Sequence, residues 1–262
     1  MIIDTHVHLN DRRYQDNLDQ VIEEARLEGV EMLIVIGYDK SSSLKAIEIA
    51  NKYPNIYCTI GIHPSEVDKF DVDNLEWIIE NINNPKVVGI GEVGIDLYWD
   101  KTYKEKQIEY FKKQIEIAKT YDLPLVIHAR EATNEVFTIL QESNTKGVMH
   151  CYSGSLEMAR RFNKIGYLLG IGGVVTFKNA HLKDVVADVE LRYLLSETDS
   201  PYLAPTPYRG KTNYPKYTRI VVEEISKIKN MDFNLVQESL KENTFNLFKR
   251  LKWKKYYCLL LF

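Results

Sequence analysis

Short runs of β-branched and other apolar residues recur along the whole chain and predict eight β-strands. The runs lie at 2–3, 31–36, 56–62, 87–90, 125–127, 147–149, 167–171 and 193–195. Between them, as in 18–25 and 108–118, apolar residues return at helical spacing and leave charged residues on the opposite face. Strands that alternate with helices predict a parallel sheet with right-handed crossovers.

Eight such units favour closure into one (β/α)8 barrel of the TIM type, with any site at the C-terminal ends of the strands. The 262 residues are close to the roughly 250 typical of that fold. An open doubly wound sheet and a division into two domains are the alternatives, but no low-complexity linker divides the chain. We therefore predict a barrel over 1–251, closed by a long helical segment at 215–251, and a short basic and apolar tail at 252–262.

Composition excludes several classes of protein. Apolar residues make up 45% of the chain and charged residues 27%, which excludes disordered and fibrous classes. The three cysteines form no C-x-x-C pair, so the sequence predicts neither a disulfide framework nor a thiolate zinc site, and we expect a cytoplasmic protein. The first residues do not resemble a signal peptide, and the apolar run at 256–262 is far shorter than the ~20 residues of a membrane span. We expect no stable membrane association.

Histidines concentrate where predicted strands end. Of the six histidines in the chain, all but His181 lie at or just after such an end: His6, His8, His63, His128 and His150. The C-terminal rim of a barrel is where its loops build the active site. His6 and His8 are two residues apart on one strand and therefore face the same side.

Two carboxylates complete a candidate metal centre. Glu92 follows the fourth predicted strand and Asp199 follows the eighth. Imidazole nitrogens and carboxylate oxygens are ligands of Zn²⁺, Mn²⁺ and related ions. Four of the histidines and these two residues give six ligands, which is more than one tetrahedral ion needs, so we predict two ions with Glu92 as the bridge. The alternative is six polar side chains at the barrel mouth with no metal, which would bring imidazoles and carboxylates close together without a cation.

Glycine-rich and basic segments offer further candidates. Residues 89–94 match G-x-G-x-x-G after a predicted strand, but no helix follows and Glu92 would repel a phosphate, so we reject a dinucleotide site. The glycines at 170–173 fit a phosphate-binding turn or a simple tight turn equally well. Arg130, Arg209 and Lys211 are candidate anion contacts.

Eight stretches together resemble one family. They are DTHVH at 4–8, GIHP at 61–64, GEVGID at 91–96, HAR at 128–130, HCYSG at 150–154, ETDSPYL at 197–203, RGK at 209–211 and NTFNLF at 243–248. In this order and spacing, the chain from Ile3 to about Phe248 resembles the TatD-like metal-dependent deoxyribonucleases of the amidohydrolase superfamily. The tail departs from the pattern, since relatives usually end soon after the NTFNLF helix.

The resemblance implies a (β/α)8 barrel with two divalent ions per chain, Mg²⁺, Mn²⁺ or Zn²⁺. By the family pattern, one ion is held by His6, His8 and Asp199 and the other by His128 and His150, with Glu92 bridging them. It also implies hydrolysis of DNA phosphodiester bonds by a metal-activated water, with Asp199 and Glu92 as the catalytic residues.

The resemblance also implies three candidate phosphate contacts, His63, Arg130 and Arg209. His63 precedes a proline and has the alternative role of capping its strand.

The expected substrate is DNA, attacked exonucleolytically as a single strand or from a strand end, and we expect a monomer. A net charge of −3 argues against a broad basic surface for duplex DNA, but two divalent ions would raise it to about +1 and place that charge at the mouth. A hydrolase of another small ester, lactone or phosphoester is the nearest alternative. A nucleic-acid-binding scaffold with a vestigial site is a more distant one.

Overall fold

Eight parallel strands lie in a single sheet in chain order. The computed structural model describes residues 1–69, 75–99 and 101–252. The strands are β1 (Ile2–Val7), β2 (Val30–Ile36), β3 (Ile56–Ile60), β4 (Val87–Asp96), β5 (Leu125–Arg130), β6 (Gly147–Met149), β7 (Tyr167–Ile171) and β8 (Leu194–Ser196). Each strand pairs in parallel with the next. The predicted (β/α)8 barrel is confirmed.

Hydrogen bonds join the first strand to the last and close the barrel. Thr5 Oγ1 donates to Ser196 O at 3.1 Å, and Ser196 Oγ donates to Ile3 O at 3.0 Å. Beyond β8, the amide of Asp199 donates to His6 O at 2.9 Å. The segment that carries Asp199 is therefore held directly beside β1.

Three strands continue well beyond their predicted C-terminal ends, because those ends carry polar residues and glycines instead of an apolar run. β1 continues to Val7, β4 to Asp96 and β5 to Arg130. The prediction that the glycine motif at 89–94 follows a strand is wrong, since the whole motif lies inside β4. Glu92 is likewise within β4 and not after it. The inference that no helix opens after this motif is confirmed.

Nine α-helices lie in the described part of the chain. They are α1 (Leu18–Leu27), α2 (Lys40–Lys52), α3 (Glu76–Asn81), α4 (Lys104–Thr120), α5 (Thr133–Ser143), α6 (Leu156–Lys164), α7 (Leu182–Asp188), α8 (Thr218–Lys229) and α9 (Phe233–Leu247). The single helical segment predicted at 215–251 is wrong, because it is divided between α8 and α9. Asn230 has a left-handed φ of 50° and ends α8, and Asp232 caps α9 by accepting from the amides of Asn234 and Leu235.

Alternate residues of the strands face the helices or the barrel interior. Along β2, Leu33 and Val35 belong to the cluster packed against the helices. Met32 and Ile34 belong to a second buried cluster, which lies in the barrel interior. That second cluster contains side chains from seven strands together with the end of α9, namely Ile3, Met32, Ile34, Ile36, Tyr57, Val88, Val126, Val148, Leu195, Leu247, Phe248 and Leu251. Apolar packing thus fills the N-terminal half of the barrel, and the polar residues lie at the other end.

The division into a barrel at 1–251 and a tail at 252–262 stays a prediction, because 253–262 lie outside the described residues. Lys252 is held at the barrel by Tyr57, whose hydroxyl donates to Lys252 O at 2.6 Å. Within the described ranges, no helix is long and apolar enough to cross a bilayer.

Candidate metal centre

The structure brings all six predicted ligands together around the carboxylate of Glu92. Its Oε1 lies 2.9 Å from His128 Nδ1 and 3.0 Å from His150 Nε2. Its Oε2 lies 3.4 Å from His6 Nε2. The two oxygens of one buried carboxylate therefore face different histidines, which is the arrangement expected of a bridging ligand.

Asp199 lies on the His6 side of the centre. Its Oδ1 is 3.4 Å from His8 Nε2 and 3.6 Å from His6 Nε2. His8 Nδ1 lies 3.3 Å from the backbone oxygen of Ile36, so the opposite ring nitrogen is the one turned toward Asp199. A hydrogen bond to one ring nitrogen commonly orients the other toward a metal.

His6 supplies a test of whether these residues fit a cation. It is fully buried, and neither ring nitrogen has a hydrogen-bond partner. A buried polar atom without a hydrogen-bond partner costs free energy. A bound metal ion would remove this cost by accepting the lone pair of the His6 ring. Donor atoms lie within 4.8 Å of one another in the sets His6–His8–Glu92, His6–His150–Asp199 and His63–Glu92–His128. The donor chemistry and the unpartnered imidazole fit divalent ions.

The charges of the centre support the same conclusion. Burial by itself would raise the pKa of Glu92, but the imidazoles of His150, His63 and His128 outweigh it and lower that pKa well below its usual value. For His150, burial by itself would lower the pKa, but Glu92 and Glu197 raise that pKa well above its usual value. Burial and the neighbouring His150 lower the pKa of His6, which leaves a neutral imidazole with a free lone pair.

Cys151 is close to the centre without being a good ligand. Its sulfur belongs to a further set of nearby donor atoms with His150 and Glu197. Burial, with Asp199 and Glu197 nearby, raises the pKa of the thiol well above its usual value. Because a metal is bound by the thiolate, a nitrogen and oxygen ligand set remains the better description.

Asp96 is a functional residue that the sequence interpretation missed. Its Oδ2 is 2.9 Å from His128 Nε2, on the side of the ring opposite Glu92. Burial would raise the pKa of Asp96, but the bond to His128 and two backbone amides lower it. A carboxylate behind a metal-binding histidine fixes the orientation and tautomer of that ring. The available signal was its position four residues after Glu92 on one strand, which places both on the same face.

Glu197 and Asp4 were also missed, and both position ligands from behind. Glu197 is fully buried, and its Oε1 accepts from the amide of Cys151 at 2.5 Å and lies 3.6 Å from His150 Nδ1. Asp4 accepts from Thr198 Oγ1 at 2.6 Å and from the amide of Thr198 at 3.0 Å. Asp4 thereby secures the backbone next to Asp199, which adopts a left-handed φ of 57°.

The candidate phosphate contacts are placed differently from one another. His63 lies at the centre, with Nε2 3.5 Å from Glu92 Oε1, and its Nδ1 accepts from the amide of Ser65 at 3.1 Å. It therefore both faces the centre and caps the turn after β3. Arg130 and Arg209 are exposed on the rim, where their guanidinium carbons lie 3.9 Å from the Tyr98 ring and 4.5 Å from the Phe177 ring.

The glycines that end β7 serve close packing. A Cβ at Gly170 would lie 2.2 Å from Glu197 Oε2, and a Cβ at Gly173 would lie 2.4 Å from the backbone oxygen of Leu203. Of the two interpretations left open at 170–173, these contacts favour the tight turn. Gly170 leaves the space that Glu197 occupies behind His150.

Comparison with known proteins identifies a family profile and close relatives. The profile described as TatD related DNase matches residues 3–249. The chain is 44% identical over 253 residues to YabD of Bacillus subtilis, named an uncharacterized metal-dependent hydrolase, and the match covers 95% of this chain and 99% of that protein. It is 39% identical over 250 residues to MJ1582 of Methanocaldococcus jannaschii, which is also named an uncharacterized metal-dependent hydrolase, with 95% and 97% covered.

Solved structures agree with these similarities. The crystal structure of YJJV, a TatD homolog from Escherichia coli K12, superposes with a TM-score of 0.91 at 30% identity and covers 95% of this chain and 98% of that one. A variant of an organophosphorus hydrolase from Deinococcus radiodurans gives a TM-score of 0.63 at 10% identity, with 94% and 92% covered. The second likeness shows a shared fold alone.

Proposed function

The chain belongs to the TatD-related DNase family of metal-dependent hydrolases, and from this premise we propose that it is a deoxyribonuclease that cleaves DNA phosphodiester bonds from strand ends. The motifs at the strand ends predicted the same family. The fold and the ligand set supply a nucleophile, and the substrate is selected by the residues around them.

The observation that carries the proposal is the position of Glu92 between two sets of histidines. His6, His8 and Asp199 would hold one ion and His128 and His150 the other, with Glu92 shared. Two such ions, when bound, activate water and neutralise charge that develops on a phosphodiester. The centre opens at the C-terminal end of the barrel, where a substrate enters.

Side chains of the protein orient the reactants around that centre. The imidazoles lower the pKa of Asp199 against the effect of burial, so its carboxylate is ionised and accepts a proton from the attacking water. Because the Ser65 amide occupies Nδ1 of His63, the proton of that ring is on Nε2. His63 Nε2 therefore donates a hydrogen bond to a phosphate oxygen, and Arg130 and Arg209 contact flanking phosphates at the rim.

Direct assay tests this proposal. End-labelled single-stranded and duplex DNA are incubated with the protein and Mg²⁺, Mn²⁺ or Zn²⁺, and the products are resolved by length. We expect stepwise shortening that falls by at least about 100-fold in His128→Ala and Asp199→Asn. His181→Ala is the matched control, because His181 is exposed and outside the centre.

Two results would contradict the proposal. One is equal DNA degradation in excess chelator, and the other is full activity of His128→Ala. Hydrolysis of lactones or phosphotriesters without hydrolysis of DNA would favour the alternative of another hydrolase in the same superfamily.

We also propose that the protein acts in the cytoplasm. Cys58 and Cys151 are both free thiols in the structure, and burial raises the pKa of Cys58 to about 12. Free cysteines of this kind suit a reducing compartment.

A further inference from the structure

Two aromatic side chains are exposed at the rim of the barrel, directly after the strand that carries Glu92. Tyr98 is 50% exposed and Trp99 is 71% exposed. With Arg130 they form a group that we call the rim platform. A tryptophan this exposed leaves a large apolar ring in water, so the platform resembles a binding surface more than a packed element.

The platform is held in a defined geometry. The rings of Tyr98 and Trp99 meet edge to face, with centroids 4.8 Å apart. The guanidinium carbon of Arg130 lies 3.9 Å from the Tyr98 centroid and 5.2 Å from the Trp99 centroid. The amide of Leu97 donates to Arg130 O at 2.9 Å, which joins the end of β4 to the end of β5 beneath the rings.

Asp96 connects the platform to the metal centre. Its Oδ2 contacts His128, and its Oδ1 accepts from the amides of Tyr98 at 2.9 Å and Trp99 at 3.3 Å. One carboxylate therefore orients a predicted metal ligand and the backbone of the platform together. The two aromatic residues are therefore connected to the metal centre through one side chain.

The charge of Arg130 is available to a ligand. Among the described residues, no carboxylate lies within ion-pair distance of its guanidinium, and its partners are the two rings. Across the mouth, Arg13 lies 4.6 Å from the ring of Tyr202 but is paired with Asp11 at 2.9 Å. Of these two aromatic and arginine groups, only the one with Arg130 offers an uncompensated cation.

We propose that the rim platform binds an unpaired nucleotide next to the one being cleaved. Its base stacks on Trp99 and Tyr98, and its phosphate contacts Arg130. Stacking on an aromatic ring tolerates any base, because every base has a π face, and it requires a base that is free of its partner strand. The platform thereby selects single strands and frayed ends without reading sequence, and this inference rests on the proposed nuclease function.

The first experiment measures binding without turnover. Fluorescence anisotropy of a labelled eight-residue oligothymidylate is followed in chelator at low salt, and again with Mg²⁺ in the Asp199→Asn background. Trp99→Ala should weaken binding about tenfold, in line with the loss of one stacked base, whereas Trp99→Phe should stay within about threefold. Because Trp99 is largely exposed, we expect an unchanged unfolding midpoint.

A matched control lies at the opposite end of the barrel. Arg192 is 5.2 Å from the Tyr193 ring, just before β8 begins. Arg192 is paired with Glu190 at 2.8 Å, and Tyr193 packs partly against the core. Tyr193→Ala therefore removes an aromatic ring beside an arginine away from the platform, and it should leave oligonucleotide binding unchanged.

The second experiment uses the substrate as a probe. In one DNA substrate, the nucleotide that would bind the platform lacks its base. This abasic substrate should have a KM about tenfold higher than normal DNA in the wild type, and the same KM as normal DNA in Trp99→Ala. Hydrolysis of methyl p-nitrophenyl phosphate, which has no nucleobase, is measured in each protein as the reference for its rate on DNA. The inference is overturned if Trp99→Ala binds the oligonucleotide as tightly as the wild type. It is also overturned if the abasic substrate raises KM by the same factor in the wild type and in Trp99→Ala.

The failure of this inference is distinguishable from that of the proposed function. Wild-type cleavage of DNA with normal binding by Trp99→Ala overturns the platform alone. No cleavage of DNA by the wild type with any of the three metals overturns the nuclease, and the anisotropy series still decides whether the platform binds single strands.

Discussion

Asp96 shows how a single carboxylate outside the predicted ligand set contributes to the centre. It accepts from His128 on one oxygen and from two loop amides on the other, so the ring and the rim are oriented together. Second partners of metal-binding histidines commonly affect metal affinity or activity by 10–100-fold. In the sequence, the position of Asp96 four residues after Glu92 indicates only a shared strand face. Its contact with His128 depends on the pairing of β4 with β5.

Asp96→Asn should lower metal affinity or activity by about 10–100-fold with little change in stability, because the amide is a weaker partner for the His128 ring. Isothermal titration with Mn²⁺ and the DNA assay measure the two effects. Asp68→Asn is the control, since Asp68 lies beside Asp96 in the same small cavity between the β3 and β4 loops. Equal metal affinity in both variants would exclude the orienting role.

At the scale of elements, β4 is the strand on which the site depends. Its glycines allow close approach to β5, and they also make the stretch look like a phosphate loop in the sequence. Gly91 has no room for a side chain, because a Cβ would lie 2.6 Å from Val126 Cβ. At Gly94 a Cβ would lie 1.9 Å from His128 O, and φ is 144°. These glycines place Glu92 and His128 side by side on adjacent strands.

Gly94→Ala should lower the free energy of unfolding by roughly 2–6 kcal/mol, the sum of overpacking and backbone strain. Urea unfolding followed by circular dichroism measures this change. Gly29→Ala is the matched control, since Gly29 has a φ of 80° with nothing within 4 Å of the added Cβ, and should cost only about 1–2 kcal/mol. Equal losses in the two variants would show that the approach of β4 to β5 is not what requires glycine.

At the scale of the whole molecule, the apolar interior lies at one end of the barrel and the polar centre at the other. Glu92 and His6 are buried, and neither ring nitrogen of His6 has a hydrogen-bond partner. A cation that binds only the folded state contributes its binding free energy to folding. The stability of the whole barrel is thus coupled to the occupancy of the centre.

Removal of metal should lower the melting temperature. With metal at about 100 times Kd, the stabilisation is about 2.7 kcal/mol, which corresponds to roughly 5–10 °C for a chain of this size. Calorimetry with Mn²⁺ and with chelator measures the shift, which should shrink in His128→Ala and persist in His181→Ala. An identical melting temperature in metal and in chelator would contradict a site formed only in the folded state.

The sequence by itself determined the fold class, the family and the set of candidate ligands. Apolar runs of strand length and helical periodicity are local patterns, and residues at strand ends meet because parallel strands share one rim. Tertiary structure decided which atoms face each other. The register and bulges of β4, together with the packing of neighbouring strands, decide three of these contacts. They turn the two oxygens of Glu92 toward different histidines, place Asp96 and Glu197 behind the histidines, and leave Trp99 exposed beside Arg130. No spacing along the chain encodes these relations, because they join residues that only the closed barrel brings together.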